Sequence, residues 1–345
     1  MQALILAGGF ATRLRPLSCS KPKLLFPILG RPLIDHMIDW LNRDGVDQLI
    51  LAVNHLADRL NIELGSRRLG SKIIFSVERT PLGTGGPLKL ASRLLASNAP
   101  LVVVNGDIVS DIDLRSVLNV HTESGAEATV ALVRVRDPKA YGRATLDDKD
   151  RIVNFREKTS KPTRPAWVNA GVYVLEPKVI NRLPTGPVSL ERHVFPSIAS
   201  RMKMQGWKHR GYWYDVGKIS DYVRCNRELL ADPQRQSLAR SGSAKTRKAR
   251  KLSHVSKGCI ISDTAMLGPY TILSENVRVA PHAALDRTIV FEQTTIGSNS
   301  RVTGSLIGEN VKVGRATRIG AGSIVAGHVT IPDQTVIRPG SVVLN

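Results

Sequence analysis

The sequence predicts an α/β domain with a mainly parallel sheet, followed by a parallel β-helix, and three observations carry that expectation. Short β-branched runs alternate with helical patterns through the first part of the chain. An aliphatic residue then recurs at every sixth position through the last part. Between them lies a basic stretch with few apolar residues. The expected boundaries are 1–232 for the first domain, 233–257 for the linker and 258–345 for the β-helix.

In the first domain, Ala3 to Leu6, Gln48 to Val53, Lys72 to Ser76 and Leu101 to Val104 read as strands, with helical patterns at Leu33 to Asn42 and Leu88 to Ala96. Apolar strands alternating with helices imply a parallel, Rossmann-like sheet covered on both faces. Ligands of such sheets bind beyond the carboxyl ends of the strands, so motifs following a strand are well placed for chemistry.

In the last part, Ile261, Leu267, Leu273, Val279 and Leu285 keep a six-residue register that Phe291 completes. After two five-residue steps it resumes through Ile296, Val302, Ile307, Val313, Ile319, Val325, Ile331 and Ile337. Small residues recur between them, and Gly follows the aliphatic residue at Gly268, Gly297, Gly308, Gly314 and Gly320. This is the hexapeptide β-helix signature. It resembles the left-handed parallel β-helix, in which three hexads make a coil, and implies four to five coils here. His282 and His328 lie within the hexads and read as surface histidines rather than as acyltransfer bases.

The chain of 345 residues carries 49 Lys and Arg against 29 Asp and Glu, a net charge of +20. That length suits two domains with separate cores, and a 42% hydrophobic fraction excludes a disordered chain. No run of about 18 apolar residues predicts a membrane span. The apolar stretch from Ala3 to Ala7 lacks the basic flank and length of a signal peptide. Cys19, Cys225 and Cys259 are odd in number and widely spaced, which argues against a disulfide framework or zinc site and points to the cytoplasm.

Such a charge invites a nucleic-acid reading, but its distribution does not support one. Residues 1–232 hold 34 basic and 23 acidic side chains, residues 233–257 hold 8 and none, and residues 258–345 hold 7 and 6. The middle stretch, from Arg235 to Lys257, reads as a solvated linker. The surplus of the first domain is explained in part by phosphate-binding cations, so no nucleic-acid partner is expected.

The segment Leu6 to Ile34 is the most informative. A strand delivers Ala7, Gly8 and Gly9, whose backbone N–H groups can approach an anion, and Arg13, Arg15 and Lys23 follow. Glycines after a strand with downstream cations make a polyphosphate cradle. The spacing fits neither G-x-G-x-x-G nor the P-loop. The segment closely resembles the opening motif GGxGTRLxPLT…KPKxLxP of nucleotidyltransferases that activate sugar 1-phosphates. Gly8, Gly9, Thr12, Arg13, Leu14, Pro16, Lys21, Pro22, Lys23 and Pro27 match it. Ala11 stands where the family usually has Gly, a change expected to be harmless if the residue keeps a negative φ.

The resemblance implies the rest of the site. The nucleotide would lie against Leu6, Ala7, Gly8, Gly9, Arg13 and Lys23, with Gly83 and Thr84 of the segment ERTPLGTGG presenting backbone and hydroxyl groups to the base. Asp107, in NGD after the strand LVVV, and Asp215, in GYWYDVGK, would be the ligands of Mg²⁺, a hard cation that bridges carboxylates and phosphates. Lys158 would meet the sugar phosphate, and Glu157, Asn169 and Glu191 would meet sugar hydroxyls. Gly142 and Gly171 would allow close backbone approach. Lys218, where the family usually has Thr, is expected to alter the charge near Asp215.

The implied reaction joins an NTP and a hexose 1-phosphate, releasing pyrophosphate, with Arg13, Lys23, Asp107, Lys158 and Asp215 as its catalytic set. The loop after Glu78, the segment SLERHVFP and the β-helix are most similar to those of mannose-1-phosphate guanylyltransferases, favouring GTP and mannose 1-phosphate. A uridylyl- or thymidylyltransferase acting on glucose 1-phosphate is the alternative within the class. A non-catalytic regulatory subunit that binds nucleotide sugar is the alternative outside it, along with an enzyme that also carries acyltransfer on the β-helix. A homo-oligomer formed through the β-helix is expected.

Overall fold

The computed structural model describes residues 1–54, 57–65, 70–95, 98–157, 164–232, 234 and 252–344. Most of the expected linker, including residues 235–251, therefore lies outside the described residues. The chain forms two compact units that do not follow chain order. One is Met1–Phe10 with Met37–Asp215, and the other is Ala11–His36 with Val216–Asn345. The opening motif is thus divided, its glycines in the first unit and its cations in the second.

The first unit is built on a nine-stranded sheet. Lys72–Val77, Gln48–Val53, Gln2–Leu6 and Leu101–Asn105 lie side by side in parallel. Ala3, Leu4, Ile5 and Val102 to Val104 are fully buried, as continuous apolar strands require. The strand Ala166–Leu175 then pairs antiparallel with Leu101–Asn105 and opens a second half of mixed direction. Of the expected helices, Leu33–Arg43 forms over nearly the predicted span. The other forms only as Gly86–Ala91, continuing as a 3-10 turn over Ser92–Leu94.

The β-helix occupies most of the second unit. Its strands stack into three parallel sheets of six, five and five. Coil partners are 18 or 17 residues apart, as in Ile260 with Arg278 and Arg278 with Thr295. The inward aliphatics Leu273, Val290, Ile296, Val302 and Ile307 form one buried cluster. Two readings are corrected. The first strand, His254–Val255, pairs with Ile272–Leu273 and so begins the coil inside the stretch assigned to the linker. The inward residue after Leu285 is Val290, because the short step comes one hexad earlier than expected. Phe291 is buried outside the coil core, edge-on to Phe26 with ring centres 5.4 Å apart.

The three outer faces differ. Arg278, Lys312, Arg301 and Arg318 are exposed on two of them. On the third, the outward residues Ile272, Ile289 and Leu306 are 0%, 3% and 4% exposed. The signature segment and the helix Ile219–Ala231 pack within the same unit. Tyr222 donates to Pro27 O at 2.6 Å, Leu29 N–H donates to Asn226 Oδ1 at 2.8 Å, and Tyr222 and Phe291 meet edge-on.

Candidate active site

In the first unit, the site grows from the carboxyl ends of the parallel strands. Gly106 N–H donates to Leu6 O at 2.9 Å, which sets the turn carrying Asp107 beside the end of the first strand. Ala7 N–H donates to Ala52 O at 2.8 Å, leaving Gly8 and Gly9 as the first residues past the sheet. A Cβ on Gly8 would collide with Glu78 Oε1, whereas one on Gly9 would meet nothing within 4 Å. Packing against Glu78 is therefore a second reason for glycine at position 8.

Glu78 is a residue the sequence reading named only as part of a loop. It is 5% exposed, and its Oε2 accepts the Leu82 N–H at 3.1 Å. Its Oε1 is buried with no hydrogen-bond partner among the described residues. Burial raises its carboxyl above the usual range, against the opposing pull of the Leu82 N–H. A carboxylate oxygen in that position suits a ligand that brings its own N–H donors.

The loop that follows is held by main-chain pairing. Gly85 N–H donates to Val188 O at 2.8 Å and Val188 N–H to Leu82 O at 3.0 Å. Gly83 has φ +75°, and a Cβ there would meet Val188 O at 2.6 Å, so glycine is required by conformation and by space. The Thr84 hydroxyl donates to Glu191 Oε2 at 2.6 Å and accepts the Leu190 N–H at 2.8 Å. Its proton is committed within the protein, which corrects the expectation that it faces a base.

Asp107 and Asp215 are brought together by an antiparallel pair of short strands, Ile108–Ser110 and Trp213–Asp215, in which Asp215 lies opposite Ile108. Both are half-buried. No group of three or more His, Cys, Asp or Glu among the described residues forms a closed metal cage. A pair of carboxylates instead suits a hard divalent cation that completes its shell with water and substrate phosphate. Ser110, Asp111 and His209 lie nearby, but His209 Nε2 reaches both Asp111 Oδ1 (3.0 Å) and Ser110 Oγ (3.5 Å). One ring nitrogen serving both partners is not the arrangement of a nucleophilic triad.

On the expected sugar side, Gly171 has φ +74° at a register shift in the strand Ala166–Leu175. That bulge brings Asn169 onto Tyr173, with Nδ2 donating to the phenol oxygen at 2.8 Å, while Asn169 Oδ1 accepts the Gly171 N–H at 2.8 Å. Tyr173 is fully buried and donates to Glu191 Oε1 at 3.3 Å. Burial and the adjacent Glu191 charge push its phenol well above the usual value, so it remains a donor. Glu191 also accepts from Ser189 Oγ at 2.9 Å. A Cβ on Gly142 would meet Glu157 Oε2 and Phe155 at 2.9 Å. Trp213 donates to Ala170 O at 2.8 Å and packs edge-on against Tyr141. Lys158 lies outside the described residues.

In the second unit, Arg13 is exposed on the turn Thr12–Leu14, and Lys23 is half-buried at the start of the turn Lys23–Leu25. Ala11 has φ 48° and ψ 38°, left-handed, with its carbonyl accepting from Ser18 Oγ at 2.8 Å. This corrects the expectation of a negative φ and gives the physical reason for the family's usual glycine. Lys218 is exposed, with Nζ 3.5 Å from Asp221 Oδ2, so its charge is paired with Asp221.

Residues 2–232 match the nucleotidyl transferase family, and residues 250–345 match the GMPPB C-terminal domain. A probable mannose-1-phosphate guanylyltransferase 3 of Oryza sativa subsp. japonica is 33% identical, over 98% of this chain and 99% of its own length. A mannose-1-phosphate guanylyltransferase of Mycobacterium tuberculosis is 35% identical, over 85% of this chain and 80% of its own length. Among solved structures, HddC from Yersinia pseudotuberculosis is similar with a TM-score of 0.58 at 28% identity, over 66% of this chain and 99% of that one. The same protein complexed with GMP-PN aligns with a TM-score of 0.57 at 27% identity.

Proposed function

Because this chain belongs to the nucleotidyl transferase family, we propose that it transfers the guanylyl group of GTP to mannose 1-phosphate and releases pyrophosphate. The observation that supports this reading most is the pairing of Asp215 against Ile108, next to Asp107, beside the end of the strand that leads to Gly8 and Gly9. A regulatory subunit has no need of that carboxylate pair. The curated relatives described above carry the names of guanylyltransferases, which disfavours the uridylyl and thymidylyl alternatives.

The nucleophile is a phosphate oxygen already ionised at neutral pH, so the protein's task is alignment and charge neutralisation rather than proton transfer. Leu6, Ala7, Gly8 and Gly9 receive the nucleotide, and Gly83 borders the base. Glu78 Oε1 accepts from the N1–H or N2–H of guanine, a donor edge that adenine lacks. Arg13 and Lys23 neutralise the β- and γ-phosphates as the leaving group gains charge. Lys158 aligns the attacking sugar phosphate, while Glu157, Asn169 and Glu191 orient sugar hydroxyls beside Gly142 and Gly171. The family uses a divalent cation, which we assign as Mg²⁺ on Asp107 and Asp215. Bound there, it would supply charge neutralisation for the substrate phosphates.

We also assign a homo-oligomer that forms through the β-helix, where the apolar Val336, Val342 and Leu344 are 67%, 57% and 63% exposed. A Val342→Lys variant with unchanged mass in light scattering would overturn that assignment. No helix among the described residues is long and apolar enough to cross a membrane; we place the reaction in the cytoplasm.

The test is pyrophosphate release across four NTPs and several hexose 1-phosphates with Mg²⁺. GTP with mannose 1-phosphate is expected to be fastest, and no release from any pair would return the regulatory reading. Asp107→Ala is expected to lower turnover by about 100-fold or more while the fold is kept, as loss of a group that neutralises transition-state charge does.

A further inference from the structure

A buried ion cluster in the second unit lies outside the residues assigned to the transfer. Lys21 lies between Arg13 and Lys23 in the signature segment, yet its side chain is only 5% exposed. Its ammonium donates to Glu309 Oε2 at 2.9 Å and to Glu292 Oε1. The Glu309 side chain is 1% exposed, and His328 Nε2 stands 3.5 Å from its Oε1. Glu292 and Glu309 hold equivalent places on successive coils, each two residues after an inward aliphatic, Val290 and Ile307. Holding the buried Glu309 carboxylate beside the partly buried Glu292 is unfavourable without a cation, and Lys21 supplies it.

The rest of the segment fits the same face of the coil. At the next equivalent place stands Gly327, where a Cβ would come within 2.8 Å of Ser20 Oγ. Phe26 packs edge-on to Phe291, two coils back from Gly327. Ser256 Oγ donates to Gly30 O at 3.4 Å on the first coil, and a Cβ on Gly30 would meet that hydroxyl. From Ser20 to Gly30 the segment therefore runs back along the coil, fixed at both ends by close approach and near one end by charge.

We propose that the β-helix anchors the segment carrying Arg13 and Lys23, with Lys21 acting as a positioning residue whose grip on Glu292 and Glu309 fixes that segment within its own unit. This rests on the assignment of those two cations to the triphosphate. The coil then does more than offer a surface for assembly. Its acidic ladder sets the geometry of the segment that carries both cations.

The test uses the full chain and measures melting temperature, GTP binding, and KM for each substrate separately. Lys21→Met is expected to raise KM and Kd for GTP about tenfold or more, within the ~100-fold that about 1 Å of misplacement costs, with KM for mannose 1-phosphate nearly unchanged. The double variant Lys21→Met/Glu309→Leu is expected to bind GTP no worse than Lys21→Met alone, since the two act as one pair. Glu275→Gln, which breaks the exposed Lys257–Glu275 contact one coil before Glu292 and away from Lys21, is the control expected to change neither constant.

A folded Lys21→Met enzyme with wild-type GTP constants, or one that loses only active fraction, overturns the proposal. If Lys21→Met does not fold, the partly exposed Glu292→Gln decides: weaker GTP binding supports the latch and unchanged binding overturns it. Lys23→Ala separates the two levels. Wild-type GTP affinity in Lys23→Ala removes the triphosphate assignment and the latch with it, whereas weakened Lys23→Ala beside normal Lys21→Met removes the latch alone.

Discussion

Each unit buries carboxylates, and the two do so in opposite ways. In the first, Glu191 is 9% exposed and is satisfied by three hydroxyls, those of Thr84, Ser189 and Tyr173. In the second, Glu292 and Glu309 share the ammonium of Lys21, and burial still holds the Glu292 carboxyl above its usual range against the pull of that cation. Hydroxyls are neutral and can turn, so the first network can lose a member and adjust. A charge shared by two carboxylates has no substitute. The first arrangement suits a surface that must accept a ligand, and the second suits a fixed anchor.

Removing the cation should break the comparison most severely. Lys21→Met is expected to destabilise the second unit by about 3–5 kcal/mol, because the buried Glu309 and the partly buried Glu292 lose their shared partner. Urea unfolding followed through a probe in that unit measures it, and a loss below about 1 kcal/mol, the scale of an exposed pair, would show that the cluster is solvated.

Acid should weaken the same unit next. Burial lowers His254 from 6.5 to about 4 in the folded chain. The unfolded state therefore takes up the proton first. Stability is full above about pH 6.5, falls as pH drops, and stops falling near pH 4, a total of about 3 kcal/mol. His254→Gln should flatten that part of the stability profile; a profile identical to that of the unaltered protein would refute the assignment.

Tyr173→Phe tests the first network. It deletes the hydroxyl between Asn169 and Glu191, at an expected cost of about 1–2 kcal/mol, less than the loss of Lys21. A larger loss than Lys21→Met in parallel denaturation would reverse the contrast drawn here. The smallest effect is expected at Ala11. Glycine relieves a left-handed alanine but adds unfolded-state entropy, so Ala11→Gly should stabilise by about 0.5 kcal/mol. A lower melting temperature would show that the methyl group contributes packing.

Much of this was legible in the chain itself. Strand ends carried Gly8, Gly9 and Asp107 as their apolar runs implied, and the hexads marked the inward aliphatics with one slip at Val290. The slip is instructive: Val290 and Phe291 are both apolar, so periodicity alone does not say which enters the coil. Thr84 and Ala11 were misread for another reason. The first depends on a partner, Glu191, far along the chain, and the second on a local φ that residue type constrains only weakly. Glu78 carried a detectable signal, an acidic residue opening the loop that leads to Gly83, but its orphaned oxygen becomes visible only beside Gly8. The buried ladder Ile272, Ile289 and Leu306 was also present in the sequence as an aliphatic residue before each inward one.

The strands, the coil repeat and the family motifs are set by residue order alone, because they follow from backbone periodicity and short-range chemistry. The placing of Asp215 opposite Ile108, the unit that the signature segment shares with the β-helix, and the burial of Lys21 against Glu292 and Glu309 arise only in the folded chain. Those outcomes depend on which apolar faces remain to be covered and which buried charges need a partner, and distant parts of the chain answer both together.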